Sequence, residues 1–180
     1  MSEKTTYELE MRSREELAEA SCSLSDVDVR RVDLAFPELN WFLHQIIGGD
    51  YRWGGRDSWK RSEWSAYAAR PELETWVAYV QGTPAGYFEL ESQTDGSQRI
   101  ECFGIRNEFF GKGLGAHLLT VAVRRAWERT DSRVWLRTCS HDHPHALSNY
   151  RARGFRVTGK SSGPENPPFR SHIFGGESAP

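Results

Sequence analysis

The sequence is poor in the features that define several large protein classes. Its three cysteines, Cys22, Cys102 and Cys139, are scattered through 180 residues with no C-x-x-C pair. That excludes a disulfide framework and fits reduced thiols in the cytoplasm. No run approaches the ~20 apolar residues that a membrane-spanning helix requires. The opening stretch MSEKTTYELEMR is polar and lacks the apolar core of a secretory signal. Neither charge is in surplus: 23 Lys and Arg stand against 25 Asp and Glu. Neither nucleic acid nor an anionic membrane is therefore indicated as a partner. The phosphate-binding patterns G-x-x-x-x-G-K-[ST] and G-x-G-x-x-G are unmatched. What is abundant is aromatic: seven Trp, six Tyr and nine Phe, with Trp41, Trp53, Trp59 and Trp64 close together.

Hydropathy patterning divides the chain into short elements. Alternation over Thr6–Met11 predicts a strand. Ser13 and Glu16 form a capping-box pair ahead of a short helix through Ala20. Val27, Val29 and Arg31 alternate with Asp28 and Arg30, a strand to about Leu34. Pro37 opens a helix that Gly48-Gly49 closes; Leu39, Phe42, Leu43 and Ile46 share its apolar face, with Trp41, on the flank beside Phe42, expected in the core. A loop and a short helix near Ser62–Ala69 follow, stopped by Pro71. Glu74–Val80, Ala85–Glu91 and Arg99–Ile105 read as a meander with turns at Gln81–Pro84 and Asp95-Gly96. Then come a long helix (Gly113–Thr130), a strand (Val134–Thr138), a short helix (Pro144–Arg153) and a strand (Phe155–Thr158). Breakers at Gly163, Pro164, Pro167 and Pro168 punctuate the tail, which carries one more strand signal at His172–Phe174. This order predicts one α+β domain, a mixed sheet with a parallel crossover in its second half.

The most informative segment runs from Phe103 to Leu119. A strand leads into Phe110-Gly-Lys-Gly-Leu-Gly115, and a helix starts there. Glycines at alternate positions let successive backbone N–H groups face one concavity. The helix N-terminus adds its positive dipole end, so the turn suits a pyrophosphate. The same glycines would also serve close strand–helix packing. Downstream, Tyr150-Arg-Ala-Arg-Gly154-Phe155 ends the short helix, with Gly154 as its C′ residue. The two segments, in this order behind a meander, resemble the GNAT superfamily of N-acetyltransferases. In that family an [RQ]-x-x-G-x-[GA] loop opens the central helix and a Y-x-x-x-G-F segment follows. The resemblance is close over residues 74–158 and reaches the first 70 residues by element order only. Three positions depart from it: Phe110 replaces Arg or Gln, Asn107 a frequent Pro, and His143 a frequent Asn.

The resemblance implies a central mixed, mostly antiparallel sheet, splayed between its fourth and fifth core strands and flanked by helices. Residues 1–26 would be an N-terminal extension, and 74–158 the acetyl-CoA-binding and catalytic half. It implies acetyl-CoA as acetyl donor, with the pyrophosphate on backbone amides of Phe110, Gly111, Lys112, Gly113, Leu114, Gly115 and Ala116. The pantetheine arm would pass Phe103, Gly104, Ile105 and His143. A primary amine of a small molecule or peptide would attack directly, with Tyr150 in the family's general-acid position. Glu101, which simple alternation sets on the face of Phe103, is the first choice of base, and Glu89 on the neighbouring strand the second. A catalytically silent acyl-CoA sensor would carry the same motifs. A third reading is an aromatic-rich binding module whose glycine turn is only structural.

Cys139, His141, His143 and His145 are spaced like metal ligands, but Pro144 interrupts any regular helical pair, and no metal is expected. Trp53, Trp59 and Trp64, with Tyr51 and Tyr67, are expected to wall the acceptor pocket and to suit an apolar, aromatic or cationic amine. An exposed last strand would allow a homodimer.

Overall fold

The computed structural model describes residues 3–165; the strand signal at His172–Phe174 lies outside them. The elements are β1 (Glu3–Met11), β2 (Val27–Arg31), α1 (Pro37–Gly48), α2 (Arg61–Ala68), β3 (Leu73–Val80), β4 (Thr83–Ser92), β5 (Gln98–Ile105), α3 (Leu114–Trp127), β6 (Val134–Cys139), α4 (Ala146–Ala152) and β7 (Arg156–Pro164). The strands form one sheet in the order β2-β3-β4-β5-β6-β1-β7. Only β5 and β6 run parallel, with α3 as their crossover. The expected mixed, mostly antiparallel sheet flanked by helices is what the chain forms. Among the described residues no helix is long and apolar enough to cross a membrane.

α3 covers one face. Leu118, Leu119, Ala122, Val123 and Ala126 recur at helical spacing and are fully buried against Phe88, Leu90 and Ile100 of the meander. On the other face Leu43 and Ile47 of α1 pack on Val77, Tyr87 and Cys102. The residues turned inward on α1 are Asn40, Leu43, His44, Gln45 and Ile47, while Phe42 is exposed. The apolar face read from Leu39, Phe42, Leu43 and Ile46 is therefore rotated, because three polar side chains, Asn40, His44 and Gln45, are drawn in. Trp41 is half-buried rather than core.

Three other expectations change at the ends of the chain. The Ser13–Glu16 pair caps only a single turn (Arg14–Glu16), where Ser13 accepts from the Glu15 N–H and Glu16 from the Arg12 N–H. No helix continues to Ala20. Instead the chain is held open by Ala18 N–H donating to the Arg153 carbonyl and Ala20 N–H to the Thr120 hydroxyl. The segment read as an extension thus contributes β1, which sits inside the sheet between β6 and β7. β7 runs on to Pro164 through the supposed breakers because its ladder with β1 extends from Arg156 to Pro164. Tertiary pairing outweighs local turn propensity there.

The link between α1 and α2 is pinned by Trp53. Its indole lies where Gly48 and Gly104 have no side chain. Alanine is about 1 kcal/mol better than glycine inside a helix, so propensity alone predicts that Gly48→Ala stabilises. Packing predicts the opposite, because the new Cβ collides with the Trp53 ring. Gly48→Ala is expected to cost roughly 1–3 kcal/mol and to lower Tm by several degrees. The loss should vanish when Gly48→Ala is made in a Trp53→Ala background. A higher Tm for the single variant would refute this packing.

Candidate active site

The site begins where a ladder ends. β5 and β6 pair only through Gln98–Val134, Arg99–Trp135 and Ile100–Leu136. Beyond that point the strands part, between the fourth and fifth strands counted from the β2 edge. The opening is a cavity of about 960 Å³, walled by Glu101–Ile105 on one side and Leu136–Cys139 on the other.

A β-bulge shapes the first wall. Phe88 pairs with Phe103 and Leu90 with Ile100, so Glu89 alone faces both Glu101 and Cys102. The extra residue breaks alternation. Phe103 packs on Tyr150 and the α3-side core, whereas Cys102 joins the α1-side core and Glu101 meets Arg56 on that same side. The expectation that Glu101 shares a face with Phe103 is corrected by this bulge. Glu101 still borders the cavity.

One end of the cavity is the glycine turn. Gly111 and Gly113 adopt φ of +74° and +80°, left-handed values that glycine reaches without strain. Gly113 is the N-cap of α3, so the next N–H groups have no partner within the helix. Phe110, Gly111, Gly113, Gly115 and Ala116 border the cavity. Leu114 also borders it, but its side chain is core, so only its backbone is available. Lys112 does not reach the cavity; its ammonium folds back onto the Glu108 carbonyl at 3.0 Å. The turn is braced from behind by Ser23 N–H donating to the Lys112 carbonyl, and from α4 by Asn149 Nδ2 donating to the Gly115 carbonyl at 3.4 Å. An unpaired helix N-terminus joined to a strand edge fits the pyrophosphate and amide-bearing arm of an acyl-CoA.

Tyr150 lines the cavity from α4. Its ring meets Phe103 edge-on at 5.9 Å. Burial, with Asp142 nearby, raises its hydroxyl well above the ordinary tyrosine value, so it stays protonated. His143 packs on Phe110 at 4.6 Å and faces Tyr51 at 5.9 Å. Its Nδ1 accepts from the His145 N–H, which delays the start of α4 to Ala146. Trp53 reaches across the opening, its Nε1–H donating to Asp142 at 3.2 Å. Asp142 also accepts from the Thr138 hydroxyl and the Cys139 N–H.

Behind Glu101 lies a buried ion cluster centred on Arg56, a residue the sequence did not single out. Arg56 donates to Glu89 at 3.1 Å, Glu101 at 3.0 Å and the Tyr67 hydroxyl at 2.7 Å. Glu89 is fully buried and also accepts from Asn40 at 2.8 Å and Tyr67 at 2.6 Å. Burial alone would raise its pKa, but the Arg56 charge and these hydrogen bonds outweigh that and hold it below the usual range. Trp59, Trp64 and Tyr67 wrap the guanidinium at 5.2, 5.9 and 4.1 Å. Trp59, Trp64 and Glu89 therefore stand behind Arg56 and do not border the cavity. Trp53 alone of the three tryptophans does. Sequence alone does not single out Arg56, because it is one of four arginines, with Arg52, Arg61 and Arg70, interspersed among the aromatic residues of 51–70.

A family model for the acetyltransferase (GNAT) family matches residues 40–155, and the chain belongs to that family. Its fold resembles a functionally unknown conserved protein from Staphylococcus epidermidis, with 22% identity and TM-score 0.59 over 89% of this chain and 60% of that one. It also resembles a GCN5-related N-acetyltransferase from Sphaerobacter thermophilus, with 15% identity and TM-score 0.67 over 87% and 49%. An aminoglycoside acetyltransferase from an uncultured soil metagenomic sample, solved with sisomicin, has 13% identity and TM-score 0.58 over 71% and 86%. The chain spans 49–63% of the length of the first five such structures. At these identities the likeness is one of fold.

His44, buried between Trp53 and Trp64, supplies a pH test. Burial, reinforced by Arg56, lowers its pKa to about 4. The unfolded chain takes up this proton near pH 6.5. The contribution is therefore complete above pH 6.5 and is lost as pH falls towards 4. Its full size is about 3 kcal/mol. Denaturant midpoints between pH 7 and 5 should fall more steeply for the wild type than for His44→Phe. Equal slopes would exclude a neutral buried His44.

Proposed function

We propose that the protein transfers the acetyl group of acetyl-CoA to a primary amine of a small molecule or peptide. The observation that carries this reading is the cavity opened by the parting of β5 and β6, bounded by the glycine turn and bordered by Tyr150. Acetyl-CoA supplies the activated acyl group as a thioester. The backbone of Gly111 to Ala116 would hold its pyrophosphate, and the edge of Phe103, Gly104 and Ile105 its arm, beside His143. The amine nitrogen forms the new N–C bond as the C–S bond breaks. Tyr150 gives its proton to the departing sulfur, and the proton shed by the amine passes towards Glu101 through water. Glu101 is suited to receiving and orienting rather than to strong base action, because Arg56 and Arg99 flank it at 3.0 and 2.8 Å. A reducing, cytoplasmic setting belongs to the same proposal and is supported by three free cysteines.

The test is release of free thiol from acetyl-CoA across an amine panel. Tyr150→Phe should reduce kcat by roughly a hundredfold or more, with little change in acetyl-CoA affinity. Because the hydroxyl is raised, wild-type activity should show no alkaline loss from tyrosine ionisation up to pH 10. Undiminished turnover by Tyr150→Phe would remove its acid role. Acetyl-CoA that raises Tm without any amine being acetylated would favour a silent acyl-CoA-binding domain, and no Tm shift at saturation would refute both.

A further inference from the structure

The sheet ends at β2 on one side, far from the cavity in strand order, and β2 pairs with β3 alone. Two backbone bonds fix which way its residues face. The Asp26 carbonyl accepts from the Gln81 N–H at 3.0 Å, and the Val32 N–H donates to the Thr75 carbonyl at 2.8 Å. Even-numbered residues therefore direct their backbone groups at β3. The direction alternates along an antiparallel strand, so Val27, Val29 and Arg31 turn their N–H and C=O groups outward. Among the described residues no strand pairs with that edge. An open ladder of this kind is a template for a further strand.

The edge is complementary to itself. Two copies paired antiparallel about a two-fold axis at Val29 would set Val29 against Val29 of the partner subunit, as a hydrogen-bonded pair made from the outward groups. Asp28 would then face Arg30 of the partner subunit, and Arg30 would face Asp28 of the partner subunit. These are non-hydrogen-bonded positions, where side chains come closest and opposite charges favour pairing. Asp28 and Arg30 pair with each other within one chain and are 46% and 74% exposed, so both are open to exchange across the axis. The other edge of the sheet lacks this property. β7 carries Arg156 and Lys160 and no acidic residue, so no register of two copies of it matches opposite charges. It also ends on Pro164, which has no N–H to donate. Apolar exposure favours the β2 edge as well. Among the described residues, three of the four exposed large apolar side chains are Leu34, Phe36 and Phe42, at 84%, 53% and 38%. All three follow directly on β2. Single exposed apolar residues are ordinary, but here they fall in the segment that leaves an open strand. We infer that β2 is the edge through which two copies of this chain pair, joining their sheets into one. The Asp28–Arg30 contacts across the axis set the register, and Leu34, Phe36 and Phe42 lie beside it.

Sedimentation equilibrium of the full chain over a concentration series reads the association. The wild type should behave as a reversible monomer and dimer. Asp28→Arg and Arg30→Asp should each weaken the dimer by about tenfold or more, because like charges then meet at both positions related by the axis. An equimolar mixture of the two variants should restore it, since one strand then offers two cations and the other two anions. The pair within each chain cannot account for that recovery, because each variant keeps like charges in its own strand. Val29→Pro tests the backbone. The Val29 N–H faces outward, so proline removes no bond to β3, and the chain should still melt cooperatively while the dimer is lost. If Val29→Pro does not fold, the mixture decides alone. A wild type that stays monomeric at every concentration would overturn the proposal. So would a dimer that survives in folded Val29→Pro, one that neither charge reversal weakens, or two variants that remain monomeric when mixed.

Discussion

The ladder between β5 and β6 lasts three residue pairs, and the molecule is organised around its failure. Up to Ile100 and Leu136 the two strands share backbone hydrogen bonds and a common core. Past them, each strand turns a polar edge towards an opening that neither helix layer fills. The crossover that must join two parallel strands is α3, so its N-terminus falls at the same opening. The cavity and the proposed anion cradle thus follow from one geometric event. A sheet paired along its full length would have neither.

A second constraint, the buried arginine, sets the opposite wall. Taking one guanidinium and two carboxylates out of water is costly, and the cost is recovered only when every partner is in place. Arg56 comes from the α1–α2 connection, Glu89 from β4, Glu101 from β5, Tyr67 from α2 and Asn40 from α1. These elements are consequently tied to one another by polar contacts rather than by apolar packing alone. The aromatic excess in this region has its explanation here. The rings exclude water from the charge and offer their faces to it.

Much of the fold was legible because it is locally written. The meander, the glycine turn, the central helix and the Tyr150 segment each follow from spacing within a few residues. Pro37 and Gly48 likewise bracket α1 as read. What escaped depends on partners distant in sequence. The bulge at Glu101–Cys102 exists only relative to Glu89, so alternation misassigned the face of Glu101. Asn40 turns inward onto Glu89, and His44 between Trp53 and Trp64, against the apolar pattern of the helix. Trp59 and Trp64 were expected to wall the acceptor pocket, yet they enclose Arg56 instead. Glu101 and Trp53 do reach the cavity, and Lys112 and Glu89 do not.

The position of β1 has a consequence for assembly. β1 is bonded to β6 on one side and to β7, the last strand among the described residues, on the other, with Thr6 opposite both Cys139 and Ser161. Its partners are therefore the last parts of the sheet to be synthesised. Closing so long a loop brings its reward only late, which is the signature of slow, non-local folding. Until those partners are in place β1 is an unpaired strand, and the wall that bears Lys4 and Arg137 does not exist. The meander and its glycine turn can form before that wall, so Gly111 and Gly113 can be in place before the cavity has its second side.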